Sequence, residues 1–294
     1  AVAAAAADVG IRAMVGPHLA DFFPQAAGQL PVRQADSAAL LDRARAFIDA
    51  TDGNGSGRVR AGVSAVWTIT CSDELLCGLA ELAAERDIPV HVHTNVLDDE
   101  IELHARWFEG RTPIERLEDA GLLTERLTLM HAGVLDDRDI ARIAASNATV
   151  NLNPLGNALF GSGVAYHNSA RRLLEAGVPI VLGSDTPMEK LASPFELMIG
   201  ALAINREAAG DDFAFTLEQA LTAATNGGAS LGRPGLLGRL TPGQLGDLVV
   251  IRPDEPFQIG PRHPVPTVVL NGHLGQVVYV VIDGRVVVDS EHTG

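Results

Sequence analysis

Short apolar runs alternate with segments of helical periodicity along most of this chain. Strands that are joined by crossover helices in a parallel sheet produce this alternation. Helices are predicted between several of the runs, at residues 72–85, 112–120, 136–145 and 169–176. Six strands are predicted from the apolar runs, at residues 11–16, 63–70, 89–94, 127–132, 148–153 and 179–184.

The ends of the predicted helices carry residue types that stop or start a helix. Most begin after Ser, Thr or Asp, whose side chains cap the first free backbone N–H groups. Gly121 and Gly177 follow the last turns of two helices and are predicted to take the left-handed conformation that ends a helix. Residues 17–60 have the weakest pattern, and we predict a loop, a helix at residues 37–50 and a glycine-rich break at residues 52–57.

The pattern changes after residue 232. Valines dominate residues 276–289 on both sides of Asp283 and Gly284, a residue pair that favours a tight hairpin turn. We therefore predict two domains, an α/β domain at residues 1–235 and a small β domain at residues 236–294.

Composition and charge exclude several classes of protein. The 294 residues are 47% hydrophobic, enough for a sizeable core, and the net charge of −15 opposes binding to nucleic acid or to anionic membranes. No window approaches the ~18 apolar residues of a membrane span, and the first residues lack the features of a signal peptide. Two cysteines, Cys71 and Cys77, suit a reducing compartment. We expect a soluble, cytoplasmic protein.

Three polar residues stand at the carboxyl ends of three predicted strands. They are His93, His131 and Asp185. In parallel α/β barrels, the carboxyl ends of the strands form the catalytic face. Imidazole and carboxylate groups are the usual ligands of a catalytic zinc, and such a metal activates water for attack.

Each of these residues also has a structural interpretation. A histidine at a strand end is often a hydrogen-bonded core residue, and Asp185 can cap a helix or form a turn. Three such residues at three strand ends favour the catalytic interpretation. His91 lies two residues before His93 on the same face of the strand, and we predict a hydrogen-bonding role for it inside the sheet. His18 and His167 are predicted to lie in loops near this face.

Several stretches, in this order and spacing, make the sequence resemble the amidohydrolase superfamily, in the branch of cytosine deaminase, S-adenosylhomocysteine deaminase and the s-triazine hydrolases. The resemblance covers nearly the whole chain. The matching stretches include Val90-His-Val-His, Leu129-Met-His-Ala, Asn153-Pro-Leu-Gly-Asn, Gly183-Ser-Asp and Asp247-Leu-Val-Val.

The resemblance implies a fold, a cofactor and roles for individual residues. The implied fold is a TIM-like (β/α) barrel that is incomplete, with strands three to eight present, followed by part of a small C-terminal β-sandwich. The implied cofactor is one divalent metal, zinc or iron, bound by His93 and Asp185. Asp185 is then also the proton acceptor, and His131 polarises the substrate. Substrate contacts are expected from Trp67, Asn153, Asn157 and His167. Homo-oligomers are common among such proteins, and we expect the same here.

Two departures from the family pattern affect these expectations. The family's His-x-His pair on the first strand has no counterpart, and we interpret the sequence as truncated before the third strand. The family glutamate three residues after the fifth-strand histidine is replaced by Val96, which cannot carry protons. Asn95, Asp98 and His167 are candidates to replace it.

Three functions remain open from the sequence. The first is hydrolysis of a C–N bond in a small, cyclic nitrogen compound. The second is hydrolysis of an amide, a cyclic amide or a carbon–halogen bond, for which the missing glutamate is less important. The third is a non-catalytic member of the family.

Overall fold

A computed structural model describes residues 1–23, 31–185, 193–253 and 263–291 of the chain. The largest sheet within these residues has six strands in the order β10-β9-β8-β7-β6-β2, and all neighbouring strands are parallel. This confirms the α/β class and the parallel sheet. The strands are β1 Ala13–Val15, β2 His18–Leu19, β3 Phe22–Phe23, β4 Val32–Arg33, β5 Val59–Ala61, β6 Val63–Ala65, β7 Val90–Thr94, β8 Leu127–His131, β9 Thr149–Leu152, β10 Ile180–Leu182, β11 Leu248–Ile251, β12 Val277–Ile282 and β13 Arg285–Asp289.

Helices follow most strands of the sheet. The predicted helices at residues 37–50, 72–85, 112–120, 136–145 and 169–176 are each confirmed within about two residues at either end. The helices are α1 Val2–Val9, α2 Ser37–Thr51, α3 Asn54–Gly57, α4 Asp73–Arg86, α5 Asp98–Trp107, α6 Pro113–Asp119, α7 Asp137–Ser146, α8 Pro154–Phe160, α9 Ser169–Glu175, α10 Pro194–Ala209, α11 Leu217–Thr225 and α12 Pro264–Asn271.

Helix ends follow the capping chemistry of the sequence. Ser72 caps α4 through its side-chain oxygen, and Thr112 with Glu115 forms a reciprocal capping box at the start of α6. Gly121 and Gly177 have φ values of +75° and +78°, the left-handed conformation that the sequence predicts. The ends of these helices are therefore specified by residues close to them in the sequence.

The prediction for residues 11–16 was wrong in one respect. Residues Ala13–Val15 form β1, which pairs with β5 outside the six-stranded sheet, and the edge strand of that sheet is His18–Leu19. The backbone ladder nevertheless continues between the two pairs, since Gly62 N donates to Val15 O and Ser64 N donates to Pro17 O. Pro17 has no N–H to donate, which interrupts the regular pattern.

The predicted strand at residues 63–70 was too long. β6 ends at Ala65, and Thr68–Thr70 form a short 3-10 helix that precedes α4. The buried Arg116 side chain donates to Thr68 O at 3.0 Å and to Cys71 O at 2.8 Å, so this turn is fixed to the start of α6. The polypeptide turns out of the sheet here because its carbonyls bond to a side chain instead of to a neighbouring strand.

The C-terminal strands form a separate three-stranded antiparallel sheet in the order β11-β12-β13. The predicted hairpin is confirmed, with Asp283 and Gly284 at φ +58° and +71° between β12 and β13. Arg12 forms an ion pair with Asp247 at 2.6 Å, which links the N-terminal segment to this sheet. Helix α12 lies between β11 and β12 in the chain and packs against α10 and α11.

No helix among the described residues is both long enough and apolar enough to span a bilayer.

Candidate functional site

The carboxyl ends of the neighbouring strands β7 and β8 carry two of the predicted site residues. His93 is the register partner of Met130, and His131 is the register partner of Thr94. Side chains alternate between the two faces of a sheet, so regular strand geometry would direct His93 and His131 to opposite faces. Their rings are nevertheless only 5.5 Å apart, centroid to centroid.

The backbone at the end of β8 explains this proximity. His131 has φ +71° and Ala132 has φ +45°, so both residues are in the left-handed region that non-glycine residues rarely adopt. Hydrogen bonds from Ala132 N to Thr94 O and from Gly133 N to Asn95 O hold the turn against β7. Such conformations cost about 1–3 kcal/mol each and cluster at functional sites.

The orientation of the His131 ring is fixed by an amide from α8. The distance from His131 Nδ1 to Asn157 Oδ1 is 2.7 Å, and His131 is buried. Because the amide oxygen only accepts hydrogen bonds, Nδ1 carries the proton and donates it. Nε2 of His131 is then the unprotonated nitrogen, with its lone pair available to a ligand. The Asn153 amide nitrogen lies 3.4 Å from both ring nitrogens.

His93 is held as a neutral imidazole. Burial, together with the neighbouring His131 and His18, lowers its pKa to about 4, while the charge of Asp185 acts in the opposite direction. Within the described part of the chain, Nδ1 of His93 is buried and meets no partner in hydrogen-bond geometry. A neutral imidazole with an unengaged nitrogen is the form in which histidine binds metal.

Asp185 lies just after β10, close to the start of α8. Its φ is +66°, a third left-handed conformation at a strand end of this site. A Cβ added to Gly156 in α8 would lie 2.6 Å from the Asp185 Cβ. A Cβ added to Gly183 would lie 2.5 Å from the Asn151 amide oxygen. Glycine is therefore required at both positions for the carboxylate and the amides to approach the backbone this closely.

Two cavities open at this edge of the sheet. The smaller, of about 270 Å³, is lined by His93, Asp185, Asn151, Asn153, Met130, Gly183 and Ser184. The larger, of about 620 Å³, is lined by His131, Asn153, Asn157 and residues of α8, α10 and the segment between α8 and α9. Asn153 lines both cavities, so they meet beside His131.

The donor types at the smaller cavity fit a divalent metal. His93 offers a neutral imidazole with an unengaged nitrogen, and the Asp185 carboxylate lies on the same cavity. Across residues 1–23, 31–185, 193–253 and 263–291, no three His, Cys, Asp or Glu side chains converge closely enough to enclose an ion. A catalytic zinc takes about three protein ligands, so these residues supply part of such a set.

The turn after β7 is held by a buried carboxylate. Glu100 of α5 accepts hydrogen bonds from the backbone N–H groups of Asn95 and Val96 at 3.1 and 2.6 Å, and burial raises its pKa. The Asn95 side chain donates to Val134 O at 2.7 Å and accepts from Thr94 Oγ1 at 2.7 Å. These contacts connect the ends of β7 and β8 and fix the segment that follows His93.

The structure separates the four predicted substrate contacts into two groups. Asn153 and Asn157 line the larger cavity next to His131. His167 and Trp67 line neither cavity. The His167 ring lies 3.2 Å from the Asp98 carboxylate in a partly exposed pair, and Trp67 lies beside Glu100.

Two further histidines have defined positions. His91 is buried inside the sheet and its Nε2 lies 2.9 Å from Ser230 O, which confirms the predicted hydrogen-bonding role. His18, on β2, was predicted to be a loop residue, but its ring lies 6.0 Å from that of His93. The signal that could have found it is the sequence Gly16-Pro17-His18, a short break directly after an apolar run.

The chain is similar in sequence to known proteins. The family model described as the amidohydrolase family matches residues 1–287. A 5-methylthioadenosine/S-adenosylhomocysteine deaminase of Syntrophobacter fumaroxidans is 30% identical over 291 residues, which are 98% of this chain and 64% of that protein. A 5′-deoxyadenosine deaminase of Methanothermobacter thermautotrophicus is 29% identical over 97% of this chain and 64% of its own length. The chain thus spans less than two thirds of these relatives.

Solved structures share the fold. An adenosine deaminase from Xanthomonas campestris with bound zinc superposes with a TM-score of 0.84 at 24% identity, over 97% of this chain and 62% of that one. An atrazine chlorohydrolase from Arthrobacter aurescens, in complex with zinc, superposes with a TM-score of 0.83 at 22% identity, over 98% of this chain and 64% of that one.

Proposed function

This chain belongs to the amidohydrolase family, and from that membership we propose that it is a metal-dependent hydrolase that cleaves a C–N bond of a small, cyclic nitrogen compound. The observation that carries the proposal is the convergence of His93, His131 and Asp185 on two adjoining cavities. A deaminase-like reaction on a ring with an exocyclic amine agrees with the names of the relatives. We also propose that the chain has two domains, at residues 1–235 and 236–294.

His93 and Asp185 are the proposed metal ligands of the described residues. A divalent metal there, zinc by its donor types, would supply the positive charge that lowers the pKa of a water to near neutrality. The low pKa of His93 keeps this imidazole neutral, and so able to bind metal, throughout the neutral pH range.

Asp185 and His131 have separate proposed roles at the reacting carbon. The Asp185 carboxylate accepts the proton of the attacking water, because it lines the small cavity, where the absence of a side chain at Gly156 leaves room for it. His131 presents Nε2 to the substrate, because Asn157 occupies the Nδ1 side. Because this tautomer leaves Nε2 without a proton, His131 would accept a hydrogen bond from the substrate and orient it, whereas polarising the attacked carbon would require a donor at that atom.

The two cavities suggest where the parts of a substrate would bind. The reacting ring would lie where the two cavities meet beside Asn153, between His93, Asp185 and His131, and a substituent would extend into the larger cavity. The larger cavity is lined mainly by apolar and small side chains, including Leu152 and Val164. We therefore propose a heterocycle with a moderately bulky, partly apolar substituent.

A second candidate reaction follows from Val96. Release of an amine requires a proton on the leaving nitrogen, and valine cannot provide it. A chloride leaving group needs no proton. Hydrolysis of a carbon–halogen bond, or of an amide in which the water proton is passed on by Asp185, is therefore the alternative.

The test combines metal content with turnover. The protein is produced with added zinc, and bound metal is measured by mass spectrometry. Ammonia release is then assayed with 5′-deoxyadenosine, S-adenosylhomocysteine and guanine, and chloride release with chlorinated s-triazines. We expect about one metal per chain and ammonia release from at least one amine. Chloride release alone would support the second candidate instead.

Control variants distinguish a specific effect of the site residues from a general loss of folding. His93→Ala and Asp185→Asn should lose the metal and at least about 10²-fold in kcat/KM. The exposed His263→Ala and Asp212→Asn should behave as wild type. A protein with neither metal nor turnover would be the non-catalytic member of the family, and the proposal would fail.

A further inference from the structure

His18 lies on the same face of the sheet as the candidate site. It is the register partner of Ser64 on β6, and Ser64 is the register partner of His91 on β7. Residues in one such row project to the same face, and His93 shares that face because it lies two residues after His91. The strand order β2-β6-β7-β8 then puts His93 between His18 and His131.

The ring geometry agrees with this placement. The His18 ring centroid is 6.0 Å from that of His93, with the planes inclined at 49°. The side chain is exposed, and no hydrogen bond to another described residue holds its ring nitrogens. His18 is therefore an uncommitted imidazole beside a proposed metal ligand, on the side opposite His131.

The polar groups of the turn after β7 and of the neighbouring α5 are already engaged. Asn95 uses its amide nitrogen on Val134 O and its amide oxygen on Thr94. Glu100 accepts two backbone N–H groups, and Asp98 pairs with His167. None of the candidates to replace the family glutamate is thus free to meet a ligand in this arrangement.

We propose that His18 is a substrate-contacting residue, whose imidazole hydrogen-bonds a polar atom on the edge of the substrate's ring that faces away from His131. The proposal rests on the proposed function and specifies its substrate. That substrate is a planar nitrogen heterocycle with a hydrogen-bonding atom on each of two opposite edges, one toward His131 and one toward His18. Imidazole suits this position because it presents both a donor and an acceptor nitrogen.

The test measures binding separately from turnover. The probe is purine riboside, which is planar and has ring nitrogens on both edges but lacks the exocyclic amine, so no ammonia can be released. Its dissociation constant is determined by titration calorimetry on zinc-loaded wild type, His18→Ala and His18→Asn, with His263→Ala as the control. The amide of His18→Asn keeps one donor and one acceptor.

Loss of one substrate hydrogen bond predicts about a tenfold weaker binding of the probe by His18→Ala. His18→Asn should recover at least half of the loss on a logarithmic scale, and His263→Ala should match wild type. Zinc content and melting temperature should not change in any of these variants. For a substrate that is turned over, KM should rise about tenfold with kcat within about threefold.

Three results would overturn the assignment. They are wild-type affinity of His18→Ala for the probe, a loss of zinc from that variant, and no binding of the probe to wild type. Failure of the proposed function is distinguishable, because it would appear as absent turnover in a wild-type protein that still binds purine riboside through His18.

Discussion

Nδ1 of His131 donates a hydrogen bond to Oδ1 of Asn157 over 2.7 Å, and this contact orients a ring that lines the larger cavity. Asn157 is itself buried and lies on α8, the helix that follows β9. The contact therefore couples the tautomer of a strand-end histidine to the position of a neighbouring helix.

Asn157→Ala should lower kcat about 10- to 100-fold without abolishing metal binding. Without the amide oxygen, the His131 ring can rotate and either nitrogen can carry the proton. The measurements are steady-state kinetics on the best substrate and metal content. Asn54→Ala, in an exposed turn, is the control. An unchanged kcat would show that ring orientation is set by other groups.

Gly156→Ala should weaken metal binding by the protein, because its added Cβ would lie 2.6 Å from the Asp185 Cβ and must displace the carboxylate. We expect at least a tenfold weaker affinity, in the range seen when groups that orient a ligand are altered. Cobalt titration followed by its visible absorption gives the affinity. Gly227→Ala is the matched control, since its added Cβ meets no atom within 4 Å. Equal affinities of the two variants would contradict the role of Gly156.

Arg116→Met should destabilise the fold by about 1–3 kcal/mol, the cost of leaving buried backbone acceptors without a hydrogen-bond donor. The guanidinium is fully buried, forms an ion pair with Asp73 at 2.6 Å, and lies 3.5 Å over the Phe108 ring. Its loss leaves the Thr68 and Cys71 carbonyls without their donor. Urea unfolding measures the change, and the exposed Arg43→Met is the comparison. A difference of under about 1 kcal/mol between them would refute the assignment.

The buried His104 should make the stability of the folded protein depend on pH. Burial and the nearby Arg116 lower its pKa from 6.5 to about 3, so the folded protein keeps it neutral. The unfolded chain binds a proton below about pH 6.5, and stability is therefore lost as the pH falls below that value. Nδ1 of His104 lies 3.1 Å from Arg111 O, and Nε2 lies 3.2 Å from Arg116 Nη1, where an added proton would face a cation.

His104→Gln removes this titration while an amide can still bond to both neighbours. Between pH 7 and pH 5 the melting temperature of wild type should fall more steeply than that of His104→Gln. His263→Gln should follow the wild-type curve. Parallel curves for wild type and His104→Gln would mean that His104 contributes no proton linkage.

The sequence predicted the positions of strands and helices more reliably than it predicted which strands pair with each other. Periodicity identified the helices because capping residues such as Ser72 and Thr112 act on neighbours three residues away. The run at residues 11–16 was assigned to the wrong sheet. The interruption at Pro17 and the pairing of His18 with Ser64 depend on a segment more than 40 residues away.

For the candidate site, the sequence predicted which residues lie at the strand ends but not how the His131 side chain is oriented. His93 is the penultimate residue of its strand and Asp185 follows its own, and parallel strands bring such positions to one edge. By alternation, however, His131 would lie on the opposite face from His93. The left-handed backbone at His131 and Ala132 reverses this, and hydrogen bonds to the end of β7 hold it there.

By itself, the sequence determined the strands β7 to β10, five of the helices and the residue types at the strand ends, because these depend on side chains a few residues apart. The tertiary structure decided that His131 turns toward His93, that Asn157 orients it, and that His18 lies beside His93. These contacts join residues distant in the chain, and they depend on register, strand order and helix packing. Such features are set by the assembled sheet as a whole, and no local pattern encodes them.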